Sequence, residues 1–213
     1  EELAAAVTPR TRVIYLNSPQ NPTGGVLTRQ DLESVAALAD RHGLVVVSDE
    51  AYEDVVFGVE HVSIASLAGM YARTIPVFTF SKSYAMTGLR MGYAAGPTEI
   101  ITEMAKLQQY TFVCAPHPAQ HGALAALDTD ISRQVDDYRA KRDFVCNQLE
   151  EVFDFVRPSG GFYVFPRVPK QYASATEFVS AAIKQNLLII PGEVFSAADS
   201  HVRISYAASD EKL

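Results

Sequence analysis

The run Leu44-Val45-Val46-Val47-Ser48, closed by Gly43 before it and by Asp49-Glu50 after it, leaves few folds open. A half-exposed strand alternates apolar and polar side chains, whereas a short uninterrupted apolar run is covered on both faces, as the strands of parallel sheets are. Arg12-Val13-Ile14-Tyr15-Leu16 and the apolar segment Thr74 to Phe80 read as two further strands. Between the first two strands Thr28 is placed to cap a helix, with Asp31 at the third following position and Leu32, Val35, Ala36, Leu38 and Ala39 on one helical face. His42-Gly43 stops that helix. These segments make a β-α-β unit and an α/β fold, a mostly parallel sheet with flanking helices.

Farther along, a strand is expected over Met91 to Ala95, and a helix opened by Pro97 runs to about Tyr110. Pro116 and Pro118 precede a helix over Ala119 to Leu127, and a long charged helix covers Ile131 to Glu151. The composition then shifts to short strands, Phe153 to Val156, Phe162 to Phe165, Leu187 to Ile190 and Val202 to Tyr206, around one helix, Ala175 to Gln185. That is an α+β module. The division is expected inside the long helix, giving a larger α/β domain over 1–137 and a small α+β domain over 138–213.

Three strand ends carry reactive groups, and in open α/β sheets ligands bind at that edge. Asp49 follows one strand; an aspartate there either caps the next helix or offers a carboxylate to a ligand. Phe80-Ser81-Lys82-Ser83 follows another, with Gly88-Leu89-Arg90 just beyond. A lysine after a strand is ordinarily a solvated charge, yet an amine, hydroxyls and a guanidinium fork together suit an aldehyde cofactor that also bears a phosphate. A pyridine ring in that cofactor needs a carboxylate against its nitrogen, because the protonated ring is the electron sink. The third end, Asn17-Ser18-Pro19-Gln20-Asn21-Pro22-Thr23-Gly24-Gly25, is turn chemistry that also presents the Asn21 amide as a donor for a phenolate oxygen. Pyridoxal 5′-phosphate meets all these requirements.

Asn21-Pro22-Thr23-Gly24, Ser48-Asp49-Glu50-Ala51-Tyr52, Ser81-Lys82-Ser83 with Gly88-Leu89-Arg90, and Val202-Arg203-Ile204-Ser205 together resemble the class I/II aminotransferases, the fold-type I enzymes dependent on pyridoxal phosphate. The resemblance implies that Lys82 carries the cofactor as a Schiff base and then moves the proton during transfer. It implies that Asp49 pairs with the pyridinium nitrogen, that Asn21 and Tyr52 bond the ring's phenolic oxygen, and that Ser81 and Arg90 hold the phosphate. Ser83 is either a further phosphate contact or a turn hydroxyl. Arg203 would bind the substrate's α-carboxylate through a two-pronged ion pair, and Asn21 would be a further substrate contact. The implied reaction moves an amino group between an α-amino acid, by default aspartate or an aromatic one, and a 2-oxo acid such as 2-oxoglutarate, with ping-pong kinetics. A lyase or decarboxylase on the same scaffold, or a non-catalytic cofactor-sensing domain, are the other readings.

Two motifs stay open. Gly160-Gly161 before Phe162-Tyr163 is either a hairpin turn or, by resemblance, backbone that approaches substrate; Pro191-Gly192-Glu193-Val194-Phe195 is a turn or lies near the mouth of the same site. Family members run to roughly double this length, and the residues present resemble their second half, stopping before a final helix. The chain is therefore expected to be an excerpt, inactive without the portion that completes the phosphate cup.

The remaining composition excludes more than it identifies. A net charge of -7 with no long basic run argues against nucleic acid. No apolar stretch approaches the roughly 18 residues of a membrane helix, and Glu1-Glu2-Leu3-Ala4 lacks the start of a signal peptide, so a soluble cytoplasmic protein is expected. Cys114 and Cys146 have no metal-like spacing and read as reduced thiols rather than a disulfide. His117 and His121, one helical turn apart, lack an evident third ligand, so no metal is expected. A homodimer is implied by resemblance, with Gln108-Gln109-Tyr110-Thr111-Phe112 as either its interface or a plain helix end.

Overall fold

The computed structural model describes all residues from 1 to 213, and they separate into two compact units. The first comprises 1–18, 27–54 and 60–131; the second comprises 19–26, 55–59 and 132–213.

The first unit is built on a four-stranded sheet in the order β1 (Val13–Asn17), β2 (Val45–Asp49), β3 (Thr74–Thr79), β4 (Gly92–Ala94). The first three strands are parallel, and β4 runs antiparallel to β3. After a short helix α1 (Glu2–Ala6), α2 (Arg29–His42) makes the crossover from β1 to β2. Its start is a capping box: the Thr28 hydroxyl accepts from the Asp31 backbone N–H, and the Asp31 side chain accepts from the Thr28 N–H. Its end is Gly43 at φ 61°, a left-handed residue that lets the chain turn into Leu44. The face formed by Leu32, Val35, Leu38 and Ala39 packs with Ile14, Leu44, Val46, Ile64 and Met70 into one core. Beyond β3 lie α3 (Phe80–Ser83), α4 (Thr98–Gln109) and α5 (His117–Leu127), and Phe80 and Met91 pack against Ala119, Ala123 and Ala126. No helix of the structure is long and apolar enough to cross a membrane.

The second unit holds α6 (Ser132–Leu149), β5 (Tyr163–Val164), α7 (Ala175–Ile183), β6 (Ile190–Pro191) and β7 (Val202–Ser205), with the sheet order β5-β7-β6. Both of its strand pairings are antiparallel. Ala175, Val179 and Ala182 of α7 pack on Ile189 and Val202.

Three sequence expectations need correction. Phe153 to Val156 is not a strand: the bond from Arg167 N–H to the Asp154 carbonyl is a single rung, too little for a ladder. Gly160-Gly161 is not a hairpin turn. Ser159 and Gly160 both donate to the Gly24 carbonyl at 2.9 Å, and Gly161 donates to the Val55 carbonyl at 2.8 Å, so this backbone is stitched to two distant loops. The strand expected over Leu187 to Ile190 is reduced to β6, Ile190–Pro191; the segments 19–26 and 55–59 reached by the Gly24 and Val55 bonds fall in the second unit, as does all of α6.

Candidate active site

In the first unit the register sets Asn17 beside Asp49, and Asp49 beside Val77, so β1 and β2 end level and β3 continues two residues farther. Asp49 is held at that edge by side-chain and backbone donors. The Tyr15 hydroxyl donates to its Oδ2 at 2.7 Å, the Ala51 N–H donates to its Oδ1 at 3.2 Å, and the Asn17 amide donates to its backbone carbonyl at 3.3 Å. Partial burial, then the bond to Asp49 and its negative charge, push the Tyr15 phenol up to about 12.

At the end of β3 the Thr79 hydroxyl accepts from the Ser81 N–H at 3.1 Å, and this cap starts the single turn α3 on which Ser81 and Lys82 ride. Ser81 is buried and Lys82 half-buried. The Lys82 Nζ lies 5.6 Å from the centroid of the buried Tyr52 ring. Arg90 has left-handed backbone, φ 55°, and its exposed guanidinium donates back to the Thr87 carbonyl at 3.0 Å.

Behind Asp49, Glu50 is almost wholly buried, with 1% of its surface exposed, and needs partners for both oxygens. The Ser63 hydroxyl donates to Oε1 at 2.8 Å, and His61 Nε2 lies 2.9 Å from Oε2. Glu53 is pushed up to about 7, first by burial and then by the charges of Asp54 and Glu50, with His61 opposing.

The second unit holds Arg203 and Asn21. Arg203 Nη1 donates to Asn21 Oδ1 at 2.8 Å, and its guanidinium carbon sits 4.3 Å from the Tyr163 ring centroid and 4.6 Å from that of Phe195. Two rings and an amide therefore fix the plane of the fork, leaving a flat cation suited to a carboxylate. Gly24, next to Asn21 in the turn, has φ 69°, and a Cβ there would lie 2.3 Å from Pro158 Cβ.

The two groupings are thus Tyr15, Asn17 and Asp49 with Lys82 near Tyr52 in the first unit, and Asn21 with Arg203 in the second. Sequence reasoning gave no role to Tyr15 or Asn17, and set Phe195 only in a segment that is either a turn or near the mouth of the site. Tyr15 and Asn17 stand two apart on one strand face as Asp49's neighbours, so pairing the β1 and β2 runs in register would have exposed them. Nothing local signals that Phe195 clamps Arg203.

The family model described as aminotransferase class I and II matches residues 1–213. The chain belongs to the class I and II aminotransferases. It is 42% identical to aromatic-amino-acid aminotransferase 2 of Thermococcus litoralis, over 100% of this chain and 57% of that one. It is 40% identical to an aspartate aminotransferase of Pyrococcus abyssi, with the same coverage of each. The crystal structure of an aromatic aminotransferase from Pyrococcus horikoshii superposes with a TM-score of 0.95 at 40% identity, over 99% of this chain and 59% of that one. The fold is that of the fold-type I aminotransferases, and the chain spans under three fifths of the length of these relatives.

Proposed function

We propose that the protein carrying this chain is a pyridoxal 5′-phosphate-dependent aminotransferase. Its substrates would be an α-amino acid, aspartate or an aromatic one in keeping with the named relatives, and a 2-oxo acid such as 2-oxoglutarate. The observation that carries the reading is Asp49 at the carboxyl end of β2, its carboxylate held by Tyr15 and Ala51, with the amine of Lys82 half-buried at the end of the next strand.

The chemistry of the donor set fits the cofactor. Lys82 is an amine for an aldehyde, Asp49 a carboxylate for a ring nitrogen, Tyr52 a phenol and Asn21 an amide for a ring oxygen, and Ser81 and Arg90 a hydroxyl and a guanidinium for a phosphate. When bound, pyridoxal phosphate supplies an aldehyde that takes up the amino group and a protonated ring that draws electrons from the α-carbon. Asp49 would accept a hydrogen bond from that ring nitrogen's N–H. The Lys82 amine would take the proton from the substrate's α-carbon and deliver it to the cofactor carbon that had been the aldehyde. Arg203, its plane fixed by Asn21, Tyr163 and Phe195, grips the α-carboxylate and so orients the α-carbon bond that is to break.

The protein is further proposed to act as a cytoplasmic homodimer. Tyr110 and Phe112 are 87% and 69% exposed just after α4, beside exposed Leu107, an apolar surface of the kind that partners cover. The test of function is amino transfer with the intact protein. Keto-acid-dependent formation of glutamate, with parallel double-reciprocal lines, supports the reading; release of carbon dioxide or a thiol without an acceptor overturns it.

A further inference from the structure

We infer that Tyr15 is a positioning residue for the cofactor's ring nitrogen, acting through Asp49. The inference rests on the proposed function and goes beyond it, assigning a role to a side chain outside the family motifs.

The geometry is specific. Tyr15 pairs in register with Val47, not with Asp49, so its ring must reach along the strand toward the carboxyl edge to place the hydroxyl 2.7 Å from Oδ2. That length lies in the range of bonds to charged oxygens. The second carboxylate oxygen takes the Ala51 N–H. A carboxylate on a short side chain otherwise turns in a broad torsional well, and donors on both oxygens fix its plane. An ionised carboxylate has about four acceptor positions, so Oδ2 keeps a lone pair for a ring N–H.

The consequence concerns how the ring nitrogen is met. With donors on both oxygens the carboxylate is held in one plane, so its free lone pair can meet a pyridine N–H, the form of the ring that acts as the electron sink. The phenol is a donor at neutral pH, and its own ionisation is pushed up to about 12.

Tyr15→Phe in the intact protein removes only the hydroxyl. The first readout needs no cofactor: the Tyr15 phenol, followed by tyrosine Cζ NMR and assigned by its loss in Tyr15→Phe, should titrate near 12 and move down in Asp49→Asn. In the loaded protein, Tyr15→Phe should shift the nitrogen-15 resonance of labelled cofactor away from the protonated position. It should also weaken cofactor binding about tenfold, the scale of one hydrogen bond to a charged group. The kcat should fall with an unchanged KM for the amino acid, a split that general loosening of the fold would not produce. An unmoved Tyr15 titration in Asp49→Asn overturns the inference, as does an unchanged nitrogen-15 shift in Tyr15→Phe. If borohydride fails to join the cofactor to Lys82 in the wild type, the proposed function falls and takes the inference with it. Labelled Lys82 with an unmoved nitrogen signal sinks the inference alone.

Discussion

Replacing Arg203 with lysine keeps the charge and removes the planar fork, so it isolates what the clamp around that residue contributes. The native guanidinium donates to Asn21 at 2.8 Å and lies 4.3 Å and 4.6 Å from the Tyr163 and Phe195 ring centroids. A hydrogen bond from a charged group is worth about 1.5–3 kcal/mol, and each ring contributes about 0.5–1 kcal/mol at an accessible site. An ammonium retains part of both but cannot offer two parallel bonds to a carboxylate. A net loss of about 2–3 kcal/mol in substrate binding follows, which is roughly a 30- to 150-fold rise in KM. Because one guanidinium would serve both half-reactions, initial rates with amino acid and 2-oxo acid varied in turn should show both KM values rising by similar factors, with a smaller fall in kcat. Asn21→Ala combined with Arg203→Lys should show strong coupling, since the two side chains share one bond. Unchanged KM values for both substrates would refute the reasoning and remove Arg203 from the site.

Gly24→Ala should destabilise the protein by more than about 3 kcal/mol in urea unfolding, because it adds left-handed strain to a Cβ lying 2.3 Å from Pro158 Cβ and 2.7 Å from the Gly160 carbonyl; a near-neutral variant would contradict the stitched loops. Glu53, raised from 4.5 to about 7 chiefly by burial, contributes stability that is fully present below pH 4.5 and lost as the pH rises through about 7. Glu53→Gln should therefore flatten the pH profile over that window and gain about 1–2 kcal/mol at pH 8, allowing for solvent screening of a half-exposed group; a profile identical to wild type would count against the shift. Asp49→Ala should retain some cofactor yet lose turnover by several orders of magnitude, as the electron sink is neutralised, and near-normal turnover would dispose of the ring-nitrogen role.

Local chemistry made much of this legible in the sequence. The Thr28–Asp31 capping box and the left-handed Gly43 bound α2 where the residues indicate, because capping depends only on neighbours along the chain. The end of the apolar run likewise placed Asp49 at the carboxyl edge of a parallel strand, since burial on both faces leaves a single reading. What escaped was non-local. Gly160-Gly161 carries hairpin composition, but its bonds go to Gly24 and Val55, far away in sequence. Phe153 to Val156 has strand propensity without the neighbour that would satisfy its backbone. The bonds that tie 19–26 and 55–59 to residues 159–161 join segments distant along the chain, and contiguity is all that a sequence displays. Tyr15 looked like one more apolar strand residue until register brought its hydroxyl to Asp49.

The central claim is that the Lys82 amine holds the cofactor's aldehyde. Borohydride reduction of the intact protein with pyridoxal phosphate, followed by peptide mapping by mass spectrometry, tests it most directly. A stable phosphopyridoxyl adduct is expected on the peptide containing Lys82, lost together with the visible absorbance in Lys82→Ala. An adduct on another lysine, or an undiminished adduct and absorbance in Lys82→Ala, would contradict it.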